Sequence, residues 1–194
     1  MKCFNLPNEN DTMICKYLFF FLIFFSPAIQ AQHYVPTDEG SKVHFVIKNF
    51  GINTGGDFTG LKGDIYFKPN DPASCKLNVS VSANTVDTDN PSRDKNLKSD
   101  EYFDVQKYPD IKIVSTKINK TNKTASGFYY FTGNLTMHGI TKPISFPFHA
   151  EKLKDGYLFT GDFELNRLHY EVGEDNAVLG NKVIITLKVF AKKN

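Results

Sequence analysis

From Val43 onward, apolar and polar residues alternate with period two, and this pattern most restricts what the chain can fold into. Val43, Phe45 and Ile47 share one side, while His44 and Lys48 take the other. Alternation of this kind turns one strand face to a core and the opposite face to water. Ile65 and Phe67 continue it after the Gly60-Leu61-Lys62-Gly63 turn, and Leu77, Val79, Val81 and Ala83 repeat it. Ile111 and Ile113, then Phe128 to Leu135, then Ile144, Phe146 and Phe148 carry it forward. Tyr157, Phe159 and Phe163, and finally Val183, Ile185, Leu187 and Val189, complete the series. Bounded by Gly, Pro, Asn and Asp, these runs predict roughly eight antiparallel strands.

One stretch resists the strand pattern. In residues 90–106, charges surround Leu97, Tyr102, Phe103 and Val105, and Pro91 with the Asp94 and Lys98 spacing suits a short helix or an ordered lid. Pro147 removes a ladder donor from its run, which places it at an edge or a bulge. Residues 119–124 read as a polar loop. Many strands with one helical insertion fit a closed barrel or a sandwich. An eight-stranded barrel is either filled by its own side chains or holds one small ligand, and the pattern fits both. Lys48, Asp64, Lys112 and Lys188 lie on the face opposite the apolar one. A membrane barrel, apolar outside and polar within, would show the reverse.

The first 31 residues read as an export signal preceding a single domain over 32–194. Lys16 supplies positive charge, Tyr17 to Phe25 form an apolar run, and Ser26 to Ala31 end in small residues. Cleavage after Ala31 is expected, for a periplasmic or secreted protein. The run is shorter than the roughly 20 residues that span a bilayer. Residues 1–12 are polar and acidic, so Met13 is the better starting residue. Processing would leave Cys75 as the sole cysteine, without a disulfide partner, and its surroundings read as a half-buried strand position.

Charge and motifs remove several function classes. The formal net charge is +2, with acids and bases interspersed, so the basic stripe of a nucleic-acid binder is missing. The five histidines have neither HxxxH nor HExxH spacing, and no nucleophile elbow, P-loop or dinucleotide fingerprint occurs. The sequence therefore offers no catalytic residue, no metal ligand set and no cofactor motif.

Three ordered motifs resemble the YceI-like proteins, which are secreted, lipocalin-like and polyisoprenoid-binding. The strongest is Arg93-Asp94-x-x-Leu97-x-x-x-x-Tyr102-Phe103-Asp104-Val105-x-x-Tyr108-Pro109, preceded by Val86 to Asn90. The others are Gly133 to Pro143 and Phe58 to Gly63. Asn96 stands where the family often has histidine, and His169 and Glu171 where Asp and Gly are expected after Asn166-Arg167. The resemblance implies an all-β fold, an extended eight-stranded antiparallel barrel with one short helix. It implies a carrier or sequestering protein for an isoprenoid, a quinone or another long-chain lipid. Transient membrane contact and a homodimer are compatible with that role. The corresponding lining residues are Phe45, Ile47, Phe67, Val79, Val81, Ile113, Phe146, Phe148, Phe159, Phe163, Ile185 and Leu187. Arg93 and Arg167 are head-group candidates, each with a structural alternative: pinning the short helix for Arg93, and a rim salt bridge for Arg167. A structural or adhesive module with a filled core is the competing reading of the whole chain.

Overall fold

The computed structural model describes residues 31–121 and 126–194; the export signal and the choice between Met1 and Met13 fall outside them. The strands are β1 (Gln32–Asn49), β2 (Ile52–Phe58), β3 (Lys62–Phe67), β4 (Lys76–Ser82), β5 (Asp110–Lys120), β6 (Phe128–Met137), β7 (Ile140–Lys152), β8 (Gly156–Asn166) and β9 (Leu179–Lys193). All pair antiparallel, and β9 returns to β1 and closes the sheet. β2 pairs with the C-terminal half of β1 and β3 with its first residues. The two therefore act as halves of one stave, and the nine segments make the expected eight-stranded barrel.

The break between those halves has a local cause. Residues 38–41 of β1 stand opposite Val189 alone, because the register with β9 shifts by three residues between Thr37 and Lys42. A bulge of this kind bends a strand and raises its twist. From the bulge, the Asp38 carboxylate accepts the N–H groups of Gly60 at 3.0 Å and Leu61 at 2.9 Å, holding the β2 to β3 turn. Gly63 follows at φ 124, where a Cβ would lie 2.0 Å from the Asn78 carbonyl oxygen. Only glycine lets β3 and β4 approach so closely.

Between β4 and β5 the chain forms helix α1 (Pro91–Leu97) and then turns through Tyr108. Pro91 occupies the first turn, where its missing N–H costs nothing, and the Asn90 side chain caps the helix by accepting Arg93 N–H at 3.1 Å. The helical part is shorter than the charged stretch that announces it. Residues 119 and 120, expected in a loop, instead end β5. Cys75 differs from its strand reading too: it is buried just before β4, and its Sγ accepts Lys68 N–H at 3.2 Å. Pro147 sits where the β7 to β8 ladder stops, at Phe148 opposite Gly161, so the first half of β7 and the last half of β8 are not paired with each other.

The interior has two cores. At the end holding the start of β1 and the end of β9, Phe67 packs edge-on against Tyr129, Tyr157 and Phe159, with ring centroids 5.1–5.2 Å apart. Tyr34 packs edge-on against Tyr157. These rings close the floor. At the opposite end, Phe58, Phe103, Val105, Met137, Tyr170 and Val172 form a second cluster beneath the α1 segment.

Candidate functional site: an apolar cavity with an arginine mouth

Between floor and cap the barrel is hollow. An inner cavity of about 120 Å³ is lined by Val79, Val81, Ile113, Phe146, Phe148, Phe159, Phe163, Ile185 and Leu187, together with Val43, Leu61, Leu135 and others. An outer cavity of about 110 Å³ is lined by Phe45, Ile47, Leu97, Tyr102, Phe103, Val172, Val183 and both Arg93 and Arg167. Phe58, Met137, Leu165 and Ile185 line both, so the two lie end to end with these side chains as the neck.

Strand alternation produces this lining. On β9, residues 183, 185, 187 and 189 face inward, while Lys182, Ile184, Thr186 and Lys188 are exposed. Eleven of the twelve lining candidates border one of the cavities. Phe67 does not: at 1 % exposure it is part of the packed floor. Alternation fixes which face a residue takes but not its height along the barrel, and Phe67 has the right face at the closed end. The neck residues Phe58, Met137 and Leu165 were missed, although the first two lie in the quoted motifs. Leu97, Tyr102 and Phe103, from the one segment without strand pattern, were missed as lining as well.

The mouth is set by α1 and the turn after β8. Arg93 donates from Nε to the Thr88 hydroxyl at 2.8 Å and from Nη2 to the Thr88 carbonyl at 2.6 Å. Asp94 accepts the Thr88 backbone N–H at 2.9 Å and the Thr88 hydroxyl, so residues 88–94 form one knot. A guanidinium has five N–H donors. The three that Arg93 does not spend on Thr88 have no acceptor among the described residues. Arg93 also borders an open polar groove of about 560 Å³ lined by Asp57, Asp87 and Asp89, where His44 Nδ1 lies 2.7 Å from Asp57. It thus stands between apolar cavity and polar surface.

Arg167 is a different kind of arginine. It is 3 % exposed, and the rim salt bridge expected for it is not what the structure shows. Its guanidinium donates to four carbonyls instead: Val172 and Glu174 at 2.8 Å, Gly180 at 3.0 Å and Leu179 at 3.2 Å. These tie the loop between β8 and β9 to the barrel end. Burial pulls its proton affinity below the usual arginine range, with Tyr102 and Asp175 acting the other way. Tyr102, on the same cavity wall, is pushed up first by burial and then by the Glu101 charge. Neither arginine forms an ion pair among the described residues. Arg93, with three unspent donors on the outer-cavity wall, is the one whose charge is open to whatever enters the mouth.

Comparison with known proteins gives a consistent result. The protein UPF0312 YE1254 of Yersinia enterocolitica is 36 % identical over 127 residues, covering 64 % of each chain. Matched stretches in this and similar bacterial relatives span about half to two thirds of their length. Among solved structures, BcnA of Burkholderia cenocepacia superposes with a TM-score of 0.73 at 22 % identity, over 79 % of this chain and 98 % of that one. A polyisoprenoid binding domain from Saccharophagus degradans, implicated in plant cell wall breakdown, gives 0.66 at 13 % identity, over 84 % and 99 %. Both share the fold. The family model described as the YceI-like domain matches residues 34–191, nearly all of the barrel, and the chain belongs to that family.

Proposed function

We propose that this protein is an exported, non-enzymatic carrier that holds the tail of an isoprenoid or similar long-chain lipid in the barrel, with its head at Arg93. The observation that carries the proposal is the pair of apolar cavities that share Phe58, Met137, Leu165 and Ile185 as lining, the outer of which ends at a mouth bearing an arginine with unspent donors. A polyisoprenoid-binding domain of the same fold supports it.

The magnitudes are consistent. Burying a CH₂ group is worth about 0.8 kcal/mol, so a five-carbon isoprene unit gives about 4 kcal/mol. Two units about balance a typical association cost of roughly 4–15 kcal/mol. Further units or a head contact must supply net affinity. An apolar hole of roughly 150 Å³ accepts a benzene-sized molecule. The two cavities together therefore take no more than about two units, and a longer tail displaces the partly buried Ile113, Phe163 and Leu187. A quinone or phosphate head reaching the mouth would meet the Arg93 donors.

The test is to purify the exported chain from a bacterial host under native conditions, extract it with organic solvent, and identify bound molecules by mass spectrometry. Intact mass of the same sample gives the N-terminus, expected at Gln32. A long-chain lipid near one-to-one stoichiometry is the expected result. Repeated extractions without lipid, together with no binding of added quinones or polyprenyl phosphates, would overturn the proposal in favour of a module without ligand.

A further inference from the structure

The turn joining β1 to β2 has no explanation within the barrel. Asn49 pairs with Ile52, leaving Phe50 and Gly51 as a two-residue hairpin turn, both at positive φ, 49° and 75°. Turns of this geometry favour Asn or Asp followed by Gly, because a bulky side chain crowds its own backbone there. Phe50 is nonetheless in the first position, and it is 77 % exposed. Neither local conformation nor core packing accounts for a phenylalanine here.

Its neighbours share the property. Ile52 is 70 % exposed and has the same strand parity as Thr54 and Phe58, which line the cavities. The inward face of β2 therefore continues past the rim and ends in an exposed isoleucine. Val178, 38 % exposed, is fixed alongside by the Phe50 N–H to Val178 carbonyl bond of 2.9 Å. The residues next to this tip, Asn49 and Leu179, both line the outer cavity. The exposed cluster is thus at the cavity mouth, on the same rim that a lipid would cross.

We infer that Phe50, Ile52 and Val178 form a bilayer-docking tip that inserts into the interfacial region of a lipid membrane and sets the cavity mouth against it. The inference rests on the carrier reading for its purpose. A lipid tail leaving a bilayer would then pass from hydrocarbon to Ile52 and into the outer cavity without crossing water. The flanking charges are mixed: Lys182 is paired with Glu164 at 2.6 Å, and Glu174 and Asp175 lie in the loop that carries Val178. Apolar insertion rather than attraction to anionic lipid is therefore the driving contact, and neutral phosphatidylcholine vesicles are the appropriate probe.

The chain contains no tryptophan, so Phe50→Trp introduces a single fluorescent reporter at the tip. Tyr130→Trp, on the outer face of β6, is the matched control. Both are made in the exported chain with its N-terminus placed by intact mass, so that any retained Tyr17 to Phe25 run is common to all variants. On adding phosphatidylcholine vesicles, the Phe50→Trp emission shifts to the blue and is quenched by brominated acyl chains; that of Tyr130→Trp is unchanged. Phe50→Asn lowers vesicle partition by about tenfold to a hundredfold. It also raises the melting temperature, because Asn-Gly suits the turn, so loss of binding cannot be loss of fold. Unchanged emission at position 50, or an equal response at position 130, overturns the inference. So does a dimer that Phe50→Asn converts to monomer with vesicle partition unchanged, since a second copy would then cover the tip. Lipid extracted from the same samples separates the two readings: cargo without vesicle response refutes docking alone.

Discussion

Filling the neck between the two cavities should raise stability and lower lipid affinity together. Ile185 borders both cavities and pairs in register with Phe45 on β1 and Phe163 on β8, so in Ile185→Phe the added ring atoms enter free space between existing rings. Cavity filling commonly adds about 0.5–2 kcal/mol. For a domain of this size each kcal/mol moves the melting temperature by roughly 2–4 °C. The lipid-free variant should therefore melt about 1–8 °C higher. A tail stopped at the neck loses the burial of at least one isoprene unit, about 4 kcal/mol, or close to a thousandfold in Kd. Calorimetric titration of delipidated protein with prenyl alcohols of two to four units measures it. Ile184→Phe is the control, since Ile184 is adjacent in sequence but 42 % exposed on the outer wall. If Ile185→Phe binds within threefold of wild type, or Ile184→Phe loses as much, the tail does not run through the neck. A melting temperature several degrees below wild type would show that the neck has no room to fill.

Other substitutions separate anchoring from packing. Arg167→Ala strands four carbonyl acceptors and should cost about 3–5 kcal/mol, lowering the melting temperature by roughly 10 °C in scanning calorimetry. Arg93→Ala, which loses only contacts to Thr88, should leave the barrel folded, with a stability change near 1 kcal/mol and weaker binding of ligands bearing an acidic head. Phe146→Asp places a carboxylate at a position 4 % exposed and should abolish folding or lipid retention; wild-type behaviour in both would show that the inner face of β7 is misassigned. Tyr34, Tyr129 and Tyr157 have proton affinities raised chiefly by burial in or beside the floor. Raised folded values mean that their contribution is complete below the unfolded tyrosine pKa of about 10 and is lost as pH climbs toward the folded values. Melting temperature should fall above that pH, and tyrosinate absorbance should appear together with unfolding rather than before it.

Strand number and inner face were legible in the sequence because each depends on a local rule, whereas closure is the distant pairing of β1 with β9, which the alternation left open between a barrel and a sandwich and which only the family resemblance implied. Period two assigns faces, and turn residues delimit runs. Height along the barrel was not legible, since it depends on how each strand pairs with both neighbours; Phe67 belongs to the floor for that reason. Cys75 was misread because it keeps the inward parity of Leu77 and Val79 although it lies between the tight turn Pro72–Ser74 and the start of β4. Arg167 was given a carboxylate partner because arginine usually finds one, whereas its actual acceptors are backbone carbonyls that have no sequence signature. The Phe50-Gly51 turn was passed over because exposure, the feature that makes its phenylalanine unusual, is a property of the folded chain.

Whether the barrel is full or hollow was the question that the alternation could not answer, and Pro147 bears directly on it. A proline cannot donate to a ladder on either side. The β7 to β8 pairing ends at Phe148, immediately beyond it, while residues 140–147 of β7 remain paired with β6, and residues 162–166 of β8 with β9. The wall is therefore opened along half its height at one seam. Phe146 and Phe163 stack across that seam, with ring centroids 4.8 Å apart, and both line the inner cavity. Where β7 and β8 pair, Phe148 and Phe159 still border the inner cavity, and the floor is closed by Phe67 packing edge-on against Tyr129, Tyr157 and Phe159. Beside the unpaired seam the cavities are bordered by Leu165 and Ile185 together with Phe146 and Phe163. Two residues that cannot donate a hydrogen bond, Pro143 and Pro147, thus both fall in the half of β7 that is not paired with β8.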